Sequence, residues 1–258
     1  MKVFIENPNL LIKEFNEVAS RVQKKAFITI GIEIQKEEID NLKNYRKELL
    51  QLKEDLKKRQ LENEANLIYC IDNSLLALQY ELQMLVNIKE DKMSEAWGNL
   101  VNAQVIYGTV VRNYPFELES ETGYLERLAN YEKLLFPNLF FQSAGGIIKK
   151  SHCSICNEKY GKCNHLKGKL YNGELCCRMI TEMELEEVSL VDNPANKHCR
   201  VLTIETNGRK IDIMTLREVN STNEKESTNA QQCITAIAGV SSKLEVNEEN
   251  ENLSQSEN

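Results

Sequence analysis

The stretch IDNLKNYRKELLQLKEDL, residues 39–56, steps its apolar side chains by three and four through Ile39, Leu42, Tyr45, Leu49, Leu52 and Leu56. Lysine, arginine, aspartate and glutamate fill the positions between. One stripe is apolar and the rest is solvated, the pattern of an amphipathic helix with a heptad seam. Two heptads fit a hairpin with another helix of the chain as well as pairing with a second copy.

The same period runs outward on both sides. Leu10, Leu11, Phe15, Val18, Ala19 and Val22 predict a helix after Pro8. Downstream, Leu67, Ile71, Leu75, Leu78, Leu82 and Leu85 predict another. Trp97, Leu100, Ala103, Ile106 and Val110 follow Ser94, read as an N-cap, and Tyr124, Leu128, Tyr131 and Leu135 follow a cap at Ser120. Pro115 and Pro137 close the last two. Only Ile28, Ile30, Ile32 and Ile34 break the period: they alternate like a strand between helical neighbours, and both strand and helix stay open there. Short connections predict an antiparallel helical bundle over residues 1–140.

Beyond Pro137 the chemistry changes. All three histidines and six of the eight cysteines lie within residues 152–199, and β-type runs follow at 185–191, 200–205 and 210–214. This predicts a small β-module over residues 141–216, too poor in apolar residues to fold without a metal or a neighbour. Ser143, Gly145 and Gly146 read as a hinge into it. From about residue 217 to 258 the composition turns to Ser, Thr, Asn, Gln and Glu, a disordered acidic tail interrupted by one apolar island at 233–240. The fold class expected is α+β.

The module's strongest signal is Cys153 and Cys156, two residues apart, followed after six residues by Cys163 and, two positions on, His165. Two cysteines at that spacing turn both sulfurs toward one point, and Gly161 with Lys162 sits where the chain folds back. Three thiolates and an imidazole suit tetrahedral zinc and complete a closed structural site. Adjacent Cys176 and Cys177 cannot easily both face one metal, but either is a substitute ligand, and with a fourth thiolate an iron–sulfur cluster would be the alternative. His152, His198 and Cys199 read as structural or surface residues, with His198 and Cys199 as a further option for part of a second site.

Charge and apolar runs exclude other classes. The net charge is −7, and from Glu218 onward eight glutamates face two lysines. Such a balance argues against a protein whose main task is gripping phosphates. Lys149, Lys150, Lys159, Lys162, Lys167, Lys169, Arg200, Arg209 and Lys210 still make the module locally basic, so a nucleic-acid contact stays a secondary expectation. No run approaches the roughly 20 apolar residues of a membrane span. The start MKVFIENPNL holds no sustained apolar core, and the expected location is cytoplasmic, with reduced cysteines. P-loop, GxGxxG and HExxH motifs are absent.

EVSLVDNPAN at 187–196 and, more loosely, FQSAG at 141–145 resemble two segments of the tailed-phage prohead maturation proteases, some of which carry a cysteine-rich insertion between them. The resemblance covers about residues 140–201. It implies that Ser143 stands where that family has its serine nucleophile. The family's histidine base comes earlier in its chain, whereas here no histidine precedes His152. The leading expectation is therefore a non-enzymatic, zinc-stabilised interaction or scaffold protein. It would engage a protein partner, or itself, through the helical bundle. A degenerate serine peptidase of the prohead type and a zinc-knuckle nucleic-acid module are the alternatives.

Overall fold

A computed structural model describes residues 8–114, 121–219 and 234–236. Five helices come first: α1 (Pro8–Gln23), α2 (Ile32–Lys58), α3 (Glu62–Lys89), α4 (Met93–Asn113) and α5 (Glu121–Leu135). Pro8 is the first residue of α1, where its missing N–H costs nothing. The turns after α2 and α3 each place one residue in the left-handed region, Gln60 at φ 57° and Asp91 at φ 61°. These tight reversals fold α2, α3 and α4 into consecutive hairpins.

The heptad seam of α2 is internal. Leu42, Leu49, Leu52 and Leu56 are buried in one core with Ile71, Leu75, Leu82 and Leu85 of α3 and Leu100 and Val101 of α4. The apolar stripe that Ile39, Leu42, Leu49, Leu52 and Leu56 form is thus spent inside the chain, as a hairpin seam would be. Burial on this scale drives the packing at about 25 cal/mol per Å² of apolar surface removed from water. Among the polar residues taken into the core, Arg46 pairs with Asp72 (Nε–Oδ1 2.9 Å) and Arg127 with Glu81 (Nη2–Oε2 2.8 Å).

Residues 28–30 lie in a turn and helix α2 starts at Ile32, so the isoleucine alternation is no strand. The buried Gln35 amide donates to the carbonyls of Lys25 (2.9 Å) and Phe27 (3.0 Å), and Lys89 Nζ reaches the carbonyl of Ile30. Side chains from elsewhere thus satisfy the backbone that a strand partner would have taken, and Ile28 and Ile34 stay exposed. The cap at α4 also differs: the N-cap residue is Lys92, and the Ser94 hydroxyl instead accepts a hydrogen bond from Arg200 Nη2 at 2.6 Å. Ser120 lies outside the described residues.

The second part is built on a long antiparallel ribbon of β1 (Phe141–Cys153) and β4 (Arg178–Val191). Phe141 faces Val191 at one end and Cys153 faces Arg178 at the other. The hinge expected at Ser143, Gly145 and Gly146 is instead strand: Ser143 pairs with Ser189 and Gly145 with Glu187, and the register slips between Gly145 and Gly146. Gly146 is required there, since a Cβ would sit 2.3 Å from the Glu184 carbonyl oxygen.

Between these strands the hairpin β2 (Leu170–Tyr171) and β3 (Glu174–Leu175) turns at Asn172 and Gly173, both with positive φ. A third sheet has the order β6 (Arg209–Asp212), β5 (Val201–Thr206), β7 (Ile234–Ala236). Three residues of the tail's apolar island, Ile234–Ala236, thus pair with β5; the rest of the tail beyond residue 219 lies outside the described residues.

Helices and sheets share a core. Phe141 and Met214 belong to the same buried cluster as the leucines of α2, α3 and α4. The Trp97 ring lies 5.3 Å from Phe136 and 6.0 Å from Phe141. At the far end of the ribbon the β2–β3 turn and the loop before it dock on the bundle: Gly173 N–H donates to Asn66 Oδ1 at 2.7 Å and Asn113 Nδ2 to the Gly168 carbonyl at 2.9 Å. Among the described residues, no helix is long and apolar enough to cross a membrane.

Candidate metal centre

The ribbon delivers the first cysteine and a tight turn delivers the second. Cys153 ends β1, its N–H donating to the Glu158 carbonyl at 2.9 Å, and its own carbonyl accepts from Asn157 N–H at 2.9 Å. Asn157 adopts φ 59°, a value asparagine tolerates better than most residues, and this brings Cys156 back toward Cys153. Gly161 follows at φ 87°, and Lys162 N–H closes on the Lys159 carbonyl at 2.9 Å. The chain doubles back where the sequence places that turn, and Cys163 and His165 face the first pair.

One donor atom from each of Cys153, Cys156, Cys163 and His165 lies within 4.8 Å of every other. A tetrahedral zinc with thiolate bonds near 2.3 Å spaces its sulfurs about 3.8 Å apart, so small inward shifts complete the shell. The His165 Nδ1 atom is buried with no hydrogen-bond partner. An orphaned buried nitrogen costs about 1–3 kcal/mol, and a metal bond would relieve it. The donor set therefore fits a metal ion.

The electrostatics favour a cation at Cys153. Burial opposes its ionisation, yet the backbone N–H groups of Cys156 and Ile155 and the thiols of Cys176 and Cys163 bring it down to about 6. Cys176 moves the other way, pushed up to about 12 by burial and by Cys153. A thiol so readily ionised is a starting point for a metal, whose binding needs its cysteine ligands deprotonated.

Of the substitutes, Cys176 lies beside the cluster, its sulfur 3.8 Å from that of Cys153, and both side chains are buried. Cys177 is half-buried, and burial pushes its thiol up. Its backbone exchanges bonds with Ser154, N–H to Oγ at 2.7 Å and carbonyl from N–H at 3.0 Å. His198 and Cys199 do not join the group; His198 Nε2 bonds Asn102 Oδ1 at 3.0 Å and the Cys199 carbonyl accepts from Gln142 N–H.

Sequence reasoning passed over Asn172 and Gly173, although an Asn-Gly pair between two short β-type dipeptides is a strong hairpin signal. That hairpin carries Cys176 to the cluster. His165 packs edge-on against Tyr171 of the same hairpin, with ring centroids 4.6 Å apart.

Ser143 is half-buried on β1, and His152 stands nine residues along the same strand, about 30 Å away by strand rise. His165 belongs to the cysteine cluster beyond it. Lys149 and Lys150 are tied to Glu184 (2.8 Å) and to Glu182 across the ribbon, which neutralises much of the basic patch there. Comparison with family models, with curated proteins and with solved structures returned no match for the chain.

Proposed function

We propose that Cys153, Cys156, Cys163 and His165 hold a structural zinc ion and that the protein works as a zinc-stabilised interaction scaffold. The observation that carries this reading is the closed set of four donors, with Cys153 only 1% exposed and the imidazole nitrogen unpartnered. Four protein donors leave a tetrahedral ion no open position for a water or substrate, the hallmark of a structural site. The ion clamps the ribbon end to the loop that carries Cys156, Cys163 and His165, in a region with few apolar residues to do the same.

The interaction role is supported by the ribbon itself. Leu185, Val188 and Leu190 are all exposed, and the register sets them opposite Gly146, Ala144 and Gln142, all on one face. A two-stranded ribbon is marginal alone, and an uncovered apolar row on it suits a protein partner. Metal analysis of the purified chain tests the centre: one equivalent of zinc is expected, and less than about half an equivalent removes it.

One observation favours a second reading, kinship with the prohead maturation proteases. The two segments that resemble that family, 141–145 and 187–191, lie side by side in the ribbon with the cysteine-rich stretch between them. On this reading the chain keeps the sheet and has lost the base. An autoproteolytic cleavage abolished by Ser143→Ala would restore the activity to it.

A further inference from the structure

The cage of cysteines holds one donor more than a tetrahedral ion uses. We propose that Cys176 is a reserve ligand: its sulfur rests beside that of Cys153 while His165 fills the fourth position, and it enters the shell when His165 leaves. This rests on the metal centre proposed above.

Three features point to Cys176. Its sulfur is 3.8 Å from that of Cys153, the edge length of a tetrahedral thiolate site, so one edge of a four-sulfur shell is already in place. Its side chain is fully buried on the inner side of the cluster, next to the buried Cys153. Its backbone is fixed by two 2.8 Å hydrogen bonds, Cys176 N–H to the Lys169 carbonyl and Gly168 N–H to the Cys176 carbonyl. These tie it to the loop that carries Cys163 and His165.

Charge sets the order of occupancy. Three thiolates and an imidazole leave one net negative charge around a divalent ion, and a fourth thiolate would leave two. A second net charge is costlier to hold than one in this partly buried site, so the neutral imidazole is preferred while it is in place. On exchange a metal–sulfur bond forms, a metal–nitrogen bond breaks, and the thiol proton passes to the released imidazole. An outer partner that hydrogen-bonds a ligand thus becomes a ligand itself.

Cobalt(II) titrated into the metal-free full-length chain tests this, because thiolate-to-cobalt absorption scales with the number of sulfurs bound. The parent and Cys176→Ala should bind one equivalent with the same three-thiolate spectrum. His165→Ala and the bulkier His165→Gln should also bind one equivalent, with that absorption raised by about one third as a fourth thiolate enters. The double variant His165→Ala/Cys176→Ala should show no such rise. A three-thiolate spectrum in the single His165 variants, or no cobalt binding by them, overturns the reserve role. So does a Cys176→Ala spectrum that has lost a thiolate, which would make Cys176 a resident ligand. A parent chain that binds no cobalt sinks the metal centre itself, and the reserve ligand with it.

Discussion

The indole Nε1–H of Trp97, near the start of α4, donates to the carbonyl of Lys197 at 3.0 Å, across one hundred residues of sequence. The ring beneath is 2% exposed and wedged between Phe136 and Phe141, and the Lys197 ammonium reaches Glu132 of α5 at 2.6 Å. This one side chain seals the bundle to the base of the ribbon. Trp97→Ala should cost about 3–5 kcal/mol in denaturant unfolding followed by circular dichroism. Trp97→Phe keeps the ring contacts and strands the carbonyl, and should cost about 1–2 kcal/mol.

Trp97 is also the single tryptophan, so its emission reports on that joint. Cys156→Ser removes a metal donor and should loosen the module over about residues 145–215, because metal binding and folding are one free energy there. The expected result is a red-shifted emission with the helical far-ultraviolet signal retained. Loss of the helical signal would mean that the bundle does not stand without the module.

Glu81 is wholly buried in α3, facing Arg127 and Tyr124 of α5, with its Oε1 atom lacking a hydrogen-bond partner among the described residues. Burial pushes its carboxyl above the ordinary range, although Arg127 pulls the other way. An acid raised on folding contributes stability that is complete below its unfolded value, about 4, and is lost as pH climbs through the folded one. Glu81→Gln should therefore gain on the parent as pH rises from 4 to 7. Urea midpoints of both chains across that range check the sign, and parallel curves would refute it.

Gly145 and Gly146 are neighbours with different tolerances. A Cβ at Gly145 meets the flexible Glu187 side chain at 2.9 Å, whereas one at Gly146 meets the Glu184 carbonyl oxygen at 2.3 Å. Backbone cannot swing aside as a side chain does. Gly146→Ala should cost about 1–3 kcal/mol and speed hydrogen exchange along β1 and β4, while Gly145→Ala stays close to the parent.

What the sequence revealed depended on how far apart the deciding residues lie. The seam from Ile39 to Leu56 and the leucines of α3 are legible because helical period is local. So is the cysteine–histidine spacing, whose turn at Gly161 is a matter of a few residues. β1 was not legible: Ser143, Ala144, Gly145 and Gly146 have poor strand propensity, and they become strand only through partners at 185–189, forty residues on. The isoleucines at 28–34 stay open in the sequence for a similar reason, since Gln35 and the distant Lys89 decide their backbone. Choosing Cys176 over Cys177 required the hairpin at Asn172 and Gly173, which aims one of two adjacent side chains at the metal site.

The ribbon is fastened at both ends, at Trp97 through Phe141 and at Asn66 and Asn113 through the hairpin turn. It therefore acts as a ruler laid against the helices. Sixteen residues of α4, about 24 Å, separate Trp97 from Asn113, and the thirteen residues of β1, twisted and bulged, run between the two fastenings. Insertions in α3 or α4 would pull one fastening loose unless the strands lengthened in step. In descendants of this chain, helix length and strand length should change together or not at all.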